Sequence, residues 1–274
     1  MWDLHRMRRH RFVLCSVGFW YMKLRIKFAK YGAMKFLGHL DVMRFFQKAI
    51  RRAGVDIRYS EGFSPHQIMS FAAPLGIGIE SFGEYMDIEV LSLPQKNGLK
   101  TLYNVLQQAM VPGFEIISVT LLPDKSKNAM ASVAAASYLL YDKTGSFPVE
   151  DLGGKISAFN EKEQIYVVKE TKKSTITLDL KSGIYEFYLT KADPRHTGFD
   201  KTVPAVFMLA DASSSGNIKP AFVWDTFCKE YGIVLPPHAC QILRLEIYTN
   251  TADEGESCRL QPLAQMGDDY YVAI

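Results

Sequence analysis

The chain has 274 residues, 48% of them hydrophobic, and a formal net charge of +3. That length and apolar content exclude a disordered chain and leave room for two domains with their own cores, while no run approaches the roughly 18 to 20 apolar residues that span a bilayer, so a soluble, cytoplasmic protein with no membrane contact is expected. The charge is unevenly placed, +3 on residues 1–21, +4 on residues 22–123 and −4 on residues 124–274, which is compatible with nucleic acid near the first half but far short of a basic footprint.

Arg6, Arg8, Arg9 and Arg11 precede the apolar stretch Phe12 to Met22, a loose likeness to a signal peptide without a convincing small-residue cleavage site. Residues 1–21 are therefore read as an N-terminal extension or a mis-annotated start, with translation from Met22 the simpler hypothesis. Met22–Lys30 alternates, with Leu24, Ile26 and Phe28 on one side and Lys23, Arg25 and Lys27 on the other, as a half-buried strand does. A helix follows, started by Gly38, favoured by Asp41 in its first turn, striped by Val42, Phe46, Ala49 and Ile50, and stopped by Gly54. Val55–Tyr59 reads as a short strand, Glu84–Leu91 as another, Leu99 to Met110 as a helix and Phe114–Leu122 as the last strand. This βαββαβ order over residues 22–123 predicts a ferredoxin-like domain.

Residues 124–136 lack strong periodicity and read as a linker. Strands are then expected at Ser137–Asp142, Ile165–Glu170, Thr175–Leu180, Tyr185–Leu189, Ala205–Ala210 and Gln241–Tyr248, with helices at Val149–Glu163 and Ala221–Tyr231. The expected fold class is thus α+β: two tandem ferredoxin-like domains, the second, over residues 137–250, decorated with extra β-hairpin strands and followed by a C-terminal tail at 251–274. Lys169, Lys172, Lys173 and Lys181 surround the hairpin strands. The Gly216–Pro220 segment leads into a helix without the spacing of a P-loop.

Topology then gathers polar residues. If Val55–Tyr59 is the second strand, the start of the first helix, the following loop and the start of the third strand share one edge, which collects His39, Asp41, Tyr59, Ser60, His66, Ser81 and Glu84. Such groups beside a helix N-terminus could bind an anion, position a substrate or move protons. The alternative is structural: Asp41 caps, His39 packs and Tyr59 fills the loop. Arg44, Lys48, Arg51 and Arg52, off the apolar stripe, are candidate phosphate contacts or simply a solvated helix face. Lys23, Arg25 and Lys27, on an open sheet face, are expected opposite Tyr85, Asp87 and Glu89 as cross-strand ion pairs. A sheet with only Tyr85 as an aromatic on that face does not suit RNA-recognition-motif stacking.

Cys15, Cys228, Cys240 and Cys258 make no CxxC or CxxxCxxC spacing, so free thiols are expected, with no metal and no cofactor in this chain.

The motif His39-Leu40-Asp41, Tyr59-Ser60-x-Gly62-Phe63-x-Pro65-His66, Pro74-Leu75 and Ser81-x-Gly83-Glu84-Tyr85-x-Asp87 resembles the radical S-adenosylmethionine-linked protein family, an uncharacterised domain found fused after a radical S-adenosylmethionine enzyme or encoded near one. The resemblance runs on more weakly through Lys172 to Lys181 and Lys219-Pro220. Gly38 departs from it, standing where a serine cap is common, as does the 21-residue extension. The resemblance implies a radical S-adenosylmethionine enzyme as partner, with any radical chemistry belonging to that other polypeptide. The expected function is an accessory or substrate-binding module working through His39, Asp41, Tyr59, Ser60, His66 and Glu84. RNA modification is one setting for it. The alternatives are a metal-independent endoribonuclease-like protein, on the strength of tandem ferredoxin-like domains, and a non-catalytic RNA-binding protein.

Overall fold

The structure, a computed structural model, describes residues 13–14, 20–170, 175–253, 255–267 and 269–272. In chain order its first half comprises β1 (Val13–Leu14), β2 (Trp20–Lys30), α1 (His39–Arg52), β3 (Met69–Phe71), β4 (Glu80–Val90), α2 (Gly98–Gln108) and β5 (Phe114–Leu121). The second half comprises β6 (Ala135–Asp142), α3 (Val149–Asn160), β7 (Tyr166–Glu170), β8 (Thr175–Asp179), β9 (Ile184–Ala192), α4 (Pro194–Thr197), β10 (Val203–Asp211), α5 (Pro220–Glu230), β11 (Cys240–Asn250), β12 (Leu260–Pro262) and β13 (Asp269–Val272). The fold is α+β with mixed strand pairing and five α-helices among the described residues. None of those helices is long and apolar enough to cross a membrane. The chain divides into two compact units, one formed by residues 1–77, 84–132 and 261–274, the other by residues 78–83 and 133–260.

In the first unit the strand order is β13, β5, β2, β4, with β3 pairing β4 and β1 pairing β2. β2 begins at Trp20, two residues before the expected start, and β1 pairs Val13 with Tyr21; the rest of residues 1–21, including Cys15, lies outside the described residues. The inward row Leu24, Ile26 and Phe28 of β2 and Met86, Ile88 and Val90 of β4 packs under Phe46 and Ile50 of α1 and Leu102 and Leu106 of α2. Phe46 sits 4.5 Å from the Phe28 ring and 5.6 Å from Phe114, so truncating it would open a cavity costing about 3 to 5 kcal/mol. α1 begins and ends where its glycines dictate. The Gly38 carbonyl accepts from the Asp41 and Val42 amides, and Gly54, at φ 65°, closes a Schellman motif in which Val55 N donates to Ile50 O and Gly54 N to Arg51 O. From residue 261 the expected C-terminal tail belongs to this unit: β13 pairs antiparallel with β5, Tyr271 opposite Val119.

The face bearing Arg25 is not open. Arg25 is 2% exposed, covered by the expected linker: its guanidinium donates to the Lys127 carbonyl at 3.2 Å, and the wholly buried Ala129 lies alongside. That linker is split between the two units after Ser132.

In the second unit the order runs from residues Glu80 and Ser81 of β4 through β11, β6 and β10 to β9. β11 is parallel to β4 (Leu243 opposite Glu80) and antiparallel to β6. Gly83 is required by close approach: a Cβ there would stand 2.8 Å from the Glu246 Cα and the Leu245 carbonyl. On one face of this sheet Phe159 of α3, Phe227 of α5 and Phe187 of β9 form a triangle of ring contacts at 5.4 to 5.7 Å. The hairpin β7–β8 stands as its own two-stranded sheet. α3 ends at Asn160 rather than Glu163. Lys172 and Lys173 lie outside the described residues, as does the side chain of Lys169.

Candidate functional site

Residues 55–59 do not form the expected strand, and the way they depart from it creates the most exposed part of the motif. Asp56 to Arg58 run along the end of β4, with Arg58 N donating to Glu89 O at 2.7 Å and Leu91 N to Asp56 O at 2.8 Å. The chain then leaves the sheet and rejoins it at the same level: Ile68 N donates to Arg58 O, Glu89 N donates to Ile68 O, and β3 continues against Met86 to Ile88. Residues 59–67 are therefore a hairpin excursion from the sheet at Glu89. Its neck is closed by the Tyr59–Gln67 bridge and by Ser60 N donating to His66 O at 2.8 Å.

Side chains lock the same neck. Ser60 Oγ accepts from the His66 backbone amide at 3.1 Å and is hydrogen-bonded to His66 Nδ1 at 2.8 Å. The one hydroxyl thus meets both the backbone amide and the ring of His66. Gly62 turns the chain at φ 108°, where a side chain would be strained, and Pro65 restricts the return. At the tip Phe63 is 113% exposed, and Tyr59 at the neck is 44% exposed.

The base of the hairpin is tied to α1. Gln67, buried, donates from Nε2 to the Gln47 carbonyl at 3.3 Å and to Tyr59 Oη at 3.5 Å, while its Oε1 is buried with no partner. Arg51 Nε donates to the same Gln47 carbonyl at 3.2 Å, which brings the exposed Arg51 beside Gln67 at the base of the hairpin; Lys48 is exposed on the same helix. Arg58 anchors the other side, paired with Glu89 at 2.8 Å and 4.4 Å from the Tyr21 ring centroid.

The remaining expected residues are spread along the unit. His39 packs edge-on against Phe71 at 5.2 Å, and Asp41 is exposed in the first turn of α1, paired with Arg44 at 3.5 Å. Gln47, where the hairpin meets α1, is eight residues from His39, about 12 Å along the helix. Glu84 is buried and five residues along β4 from Glu89, about 16 Å at the strand rise. The structure thus joins Ser60 to His66 and Tyr59 to Gln67 at the neck, with Arg51 meeting Gln67 at the Gln47 carbonyl, without drawing His39, Asp41 and Glu84 into the same group. The shared edge was expected because Val55–Tyr59 was taken for the whole second strand; the hairpin displaces the loop toward the opposite end of β4. Arg52 is engaged elsewhere, donating to Ala109 O at 2.9 Å with its guanidinium 6.0 Å from the Phe45 ring.

Asp87 and Arg25 form a buried bidentate pair, Nε to Oδ1 at 2.8 Å and Nη2 to Oδ2 at 3.0 Å; Asp87 Oδ2 also accepts from Ala129 N at 2.6 Å. The alternation of β2 and β4 made this cross-strand pair legible, but not its burial. Lys27 lies 5.8 Å over the Tyr85 ring, and Glu89 takes Arg58 as its partner. In the second unit, sequence reasoning missed a buried contact of Tyr141 Oη to Glu80 at 3.2 Å. Burial, reinforced by that carboxylate, pushes the phenol well above its usual range. A lone Tyr and Glu more than sixty positions apart gave no signal. Among the described residues no group of His, Cys, Asp and Glu is spaced to hold a metal ion.

Residues 23–220 match the family described as uncharacterised proteins conserved in bacteria (DUF2344). The chain belongs to that family. No curated protein matches it. Among solved structures, the crystal structure of an unknown protein from Galdieria sulphuraria is matched over 82% of this chain and 97% of that chain, at 15% identity and a TM-score of 0.23. The matched family region takes in the hairpin, the Arg25–Asp87 pair and the second unit as far as the start of α5.

Proposed function

We propose that this chain is a non-catalytic accessory module, built of two ferredoxin-like units, that docks on a separate radical S-adenosylmethionine enzyme through the hairpin 59–67. One observation carries the reading: Phe63 stands fully exposed at the tip of a hairpin whose neck is fixed by both backbone and side-chain hydrogen bonds. An exposed aromatic on a pre-ordered loop is the form an interface anchor takes, because little entropy remains to be lost when it enters a partner's pocket. The choice of partner rests on the resemblance of the His39 to Asp87 motif to the radical S-adenosylmethionine-linked family, and on the absence of a CxxxCxxC motif from this sequence. Affinity capture from the native cell tests it. Wild-type chain should retain a protein bearing that cluster motif, and Phe63→Asp should lose it with an unchanged melting temperature. Equal capture by both would overturn the docking role of the hairpin.

A second reading is RNA binding, favoured by Arg51 adjoining the base of a hairpin that exposes Tyr59 and Phe63: a cation suited to phosphates beside rings suited to stacking on unpaired bases. The same capture, with bound RNA sequenced, separates the two. RNA retained without the enzyme, and released steeply by salt, would put the second reading first.

A further inference from the structure

A groove of about 520 Å³ in the second unit lies between α5 and the segment that leads into β11. One wall is the α5 face carrying Asp225, Cys228 and Lys229, residues three and four apart and therefore on one side of the helix. The other is apolar, from Ile233, Leu235 and Ile242, with Cys240 also lining it. The volume is within the range of small-molecule sites.

Three features distinguish this groove from an ordinary crease. Asp225 and Lys229 stand at the spacing at which a carboxylate and an ammonium pair on a helix, yet no salt bridge or hydrogen bond joins them among the described residues. Asp225 is exposed on one side, but the adjoining apolar wall strips enough water from it to push its carboxyl above the usual range. The groove's far lip is the turn Pro236 to Ala239, closed by Ala239 N donating to Pro236 O at 3.1 Å, with Pro237 second and His238 third at φ 62°. That is the glycine position of a type II turn, and a histidine held there is strained. His238 and Lys229 both line the groove.

We propose that this groove binds a free α-amino acid with an apolar side chain. The ammonium group pairs with Asp225, the carboxylate with Lys229 and His238, and the side chain lies along Ile233, Leu235 and Ile242. Two charged groups of opposite sign on one wall, facing an apolar wall, match a zwitterion bearing a hydrocarbon or thioether chain. Neither a simple anion nor a neutral apolar molecule uses both charges. The two thiols serve as neutral, polarisable lining: burial, with Asp225 adding to it, pushes the Cys228 thiol up to about 12, so it carries no negative charge near neutral pH.

Calorimetric titration of the full chain with leucine and methionine, and with their N-acetyl and methyl-ester derivatives, tests the assignment. The free amino acids should bind at least about tenfold more tightly than either blocked form, since each derivative deletes one charged contact. Asp225→Asn should abolish the preference over the N-acetyl form, and Lys229→Ala the preference over the ester; both residues are exposed on α5 and neither supports the core. His238→Gly should relieve the turn, holding or raising the melting temperature, while weakening leucine. Leucine and its blocked forms binding equally, or no free amino acid binding at millimolar concentration, would overturn the proposal. So would an undiminished preference in both Asp225→Asn and Lys229→Ala.

Discussion

The Arg25–Asp87 pair and the Ser60–His66 clamp are both polar contacts within the first unit and both draw on the same motif, yet they sit in opposite surroundings. Arg25 and Asp87 are buried, and their charges are matched to each other and to backbone groups at Lys127 and Ala129. Ser60 and His66 meet in water, and what they hold is a backbone shape that presents Phe63. The difference teaches what each costs to remove. A buried charge stripped of its partner keeps its full desolvation penalty, whereas an exposed hydrogen bond is replaced by water.

The sharpest break of that contrast is Asp87→Ala, which leaves the Arg25 guanidinium buried against a methyl group. It should cost about 3 to 5 kcal/mol and lower the melting temperature by more than about 6 °C by calorimetry. A shift of a degree or two would mean that water reaches Arg25 and that the two sites are less different than their burial suggests.

Gly83→Ala comes next, because its Cβ meets the Glu246 backbone rather than a movable side chain. About 1 to 3 kcal/mol should be lost in denaturant titration. Hairpin capture should be untouched, since Gly83 belongs to the second unit.

At the exposed end, His66→Ala should cost no more than about 1 kcal/mol while weakening capture of the partner. A large loss of stability with full binding would move the Ser60–His66 clamp to the structural side of the comparison.

The smallest expected effect is alkaline. Because the Cys228 thiol is raised in the folded chain to about 12, the folded state holds its proton where the unfolded state has released it. Stability from this group is therefore complete below the unfolded thiol range, near 8.5, and is lost as pH rises from there toward 12. Cys228→Ser should flatten that decline in melting temperature measured between pH 8 and 10. Near neutral pH a thiol-specific reagent should modify the exposed Cys258 before Cys228 or Cys240, as peptide mass mapping would show.

Much of the fold was legible because its cues are local. The alternation of Leu24, Ile26 and Phe28, the stripe from Val42 to Ile50 and the glycines at 38 and 54 specify β2 and α1 through periods and backbone freedom that neighbouring residues carry themselves. The burial of Arg25 was not legible, since the cover comes from Lys127 and Ala129, a hundred residues on, in a stretch with no period of its own. β13 was missed for the same reason: Asp269–Val272 is too short to announce a strand and becomes one only by pairing with β5.

The candidate site divides along the same line. By itself the sequence determined which residue types the motif brings, Ser60 and His66 six positions apart around a glycine and a proline, which is enough to announce a turn. Only the tertiary structure decided that the turn is a hairpin leaving the sheet at Glu89, tied to Gln47 and far from Glu84. Strand pairing is a choice between distant segments. That Asp56–Arg58 and Met69–Phe71 both pair with β4, with the hairpin left out between them, depends on a register that buries Ile57 and Phe71 together, and no window of neighbouring residues contains that comparison.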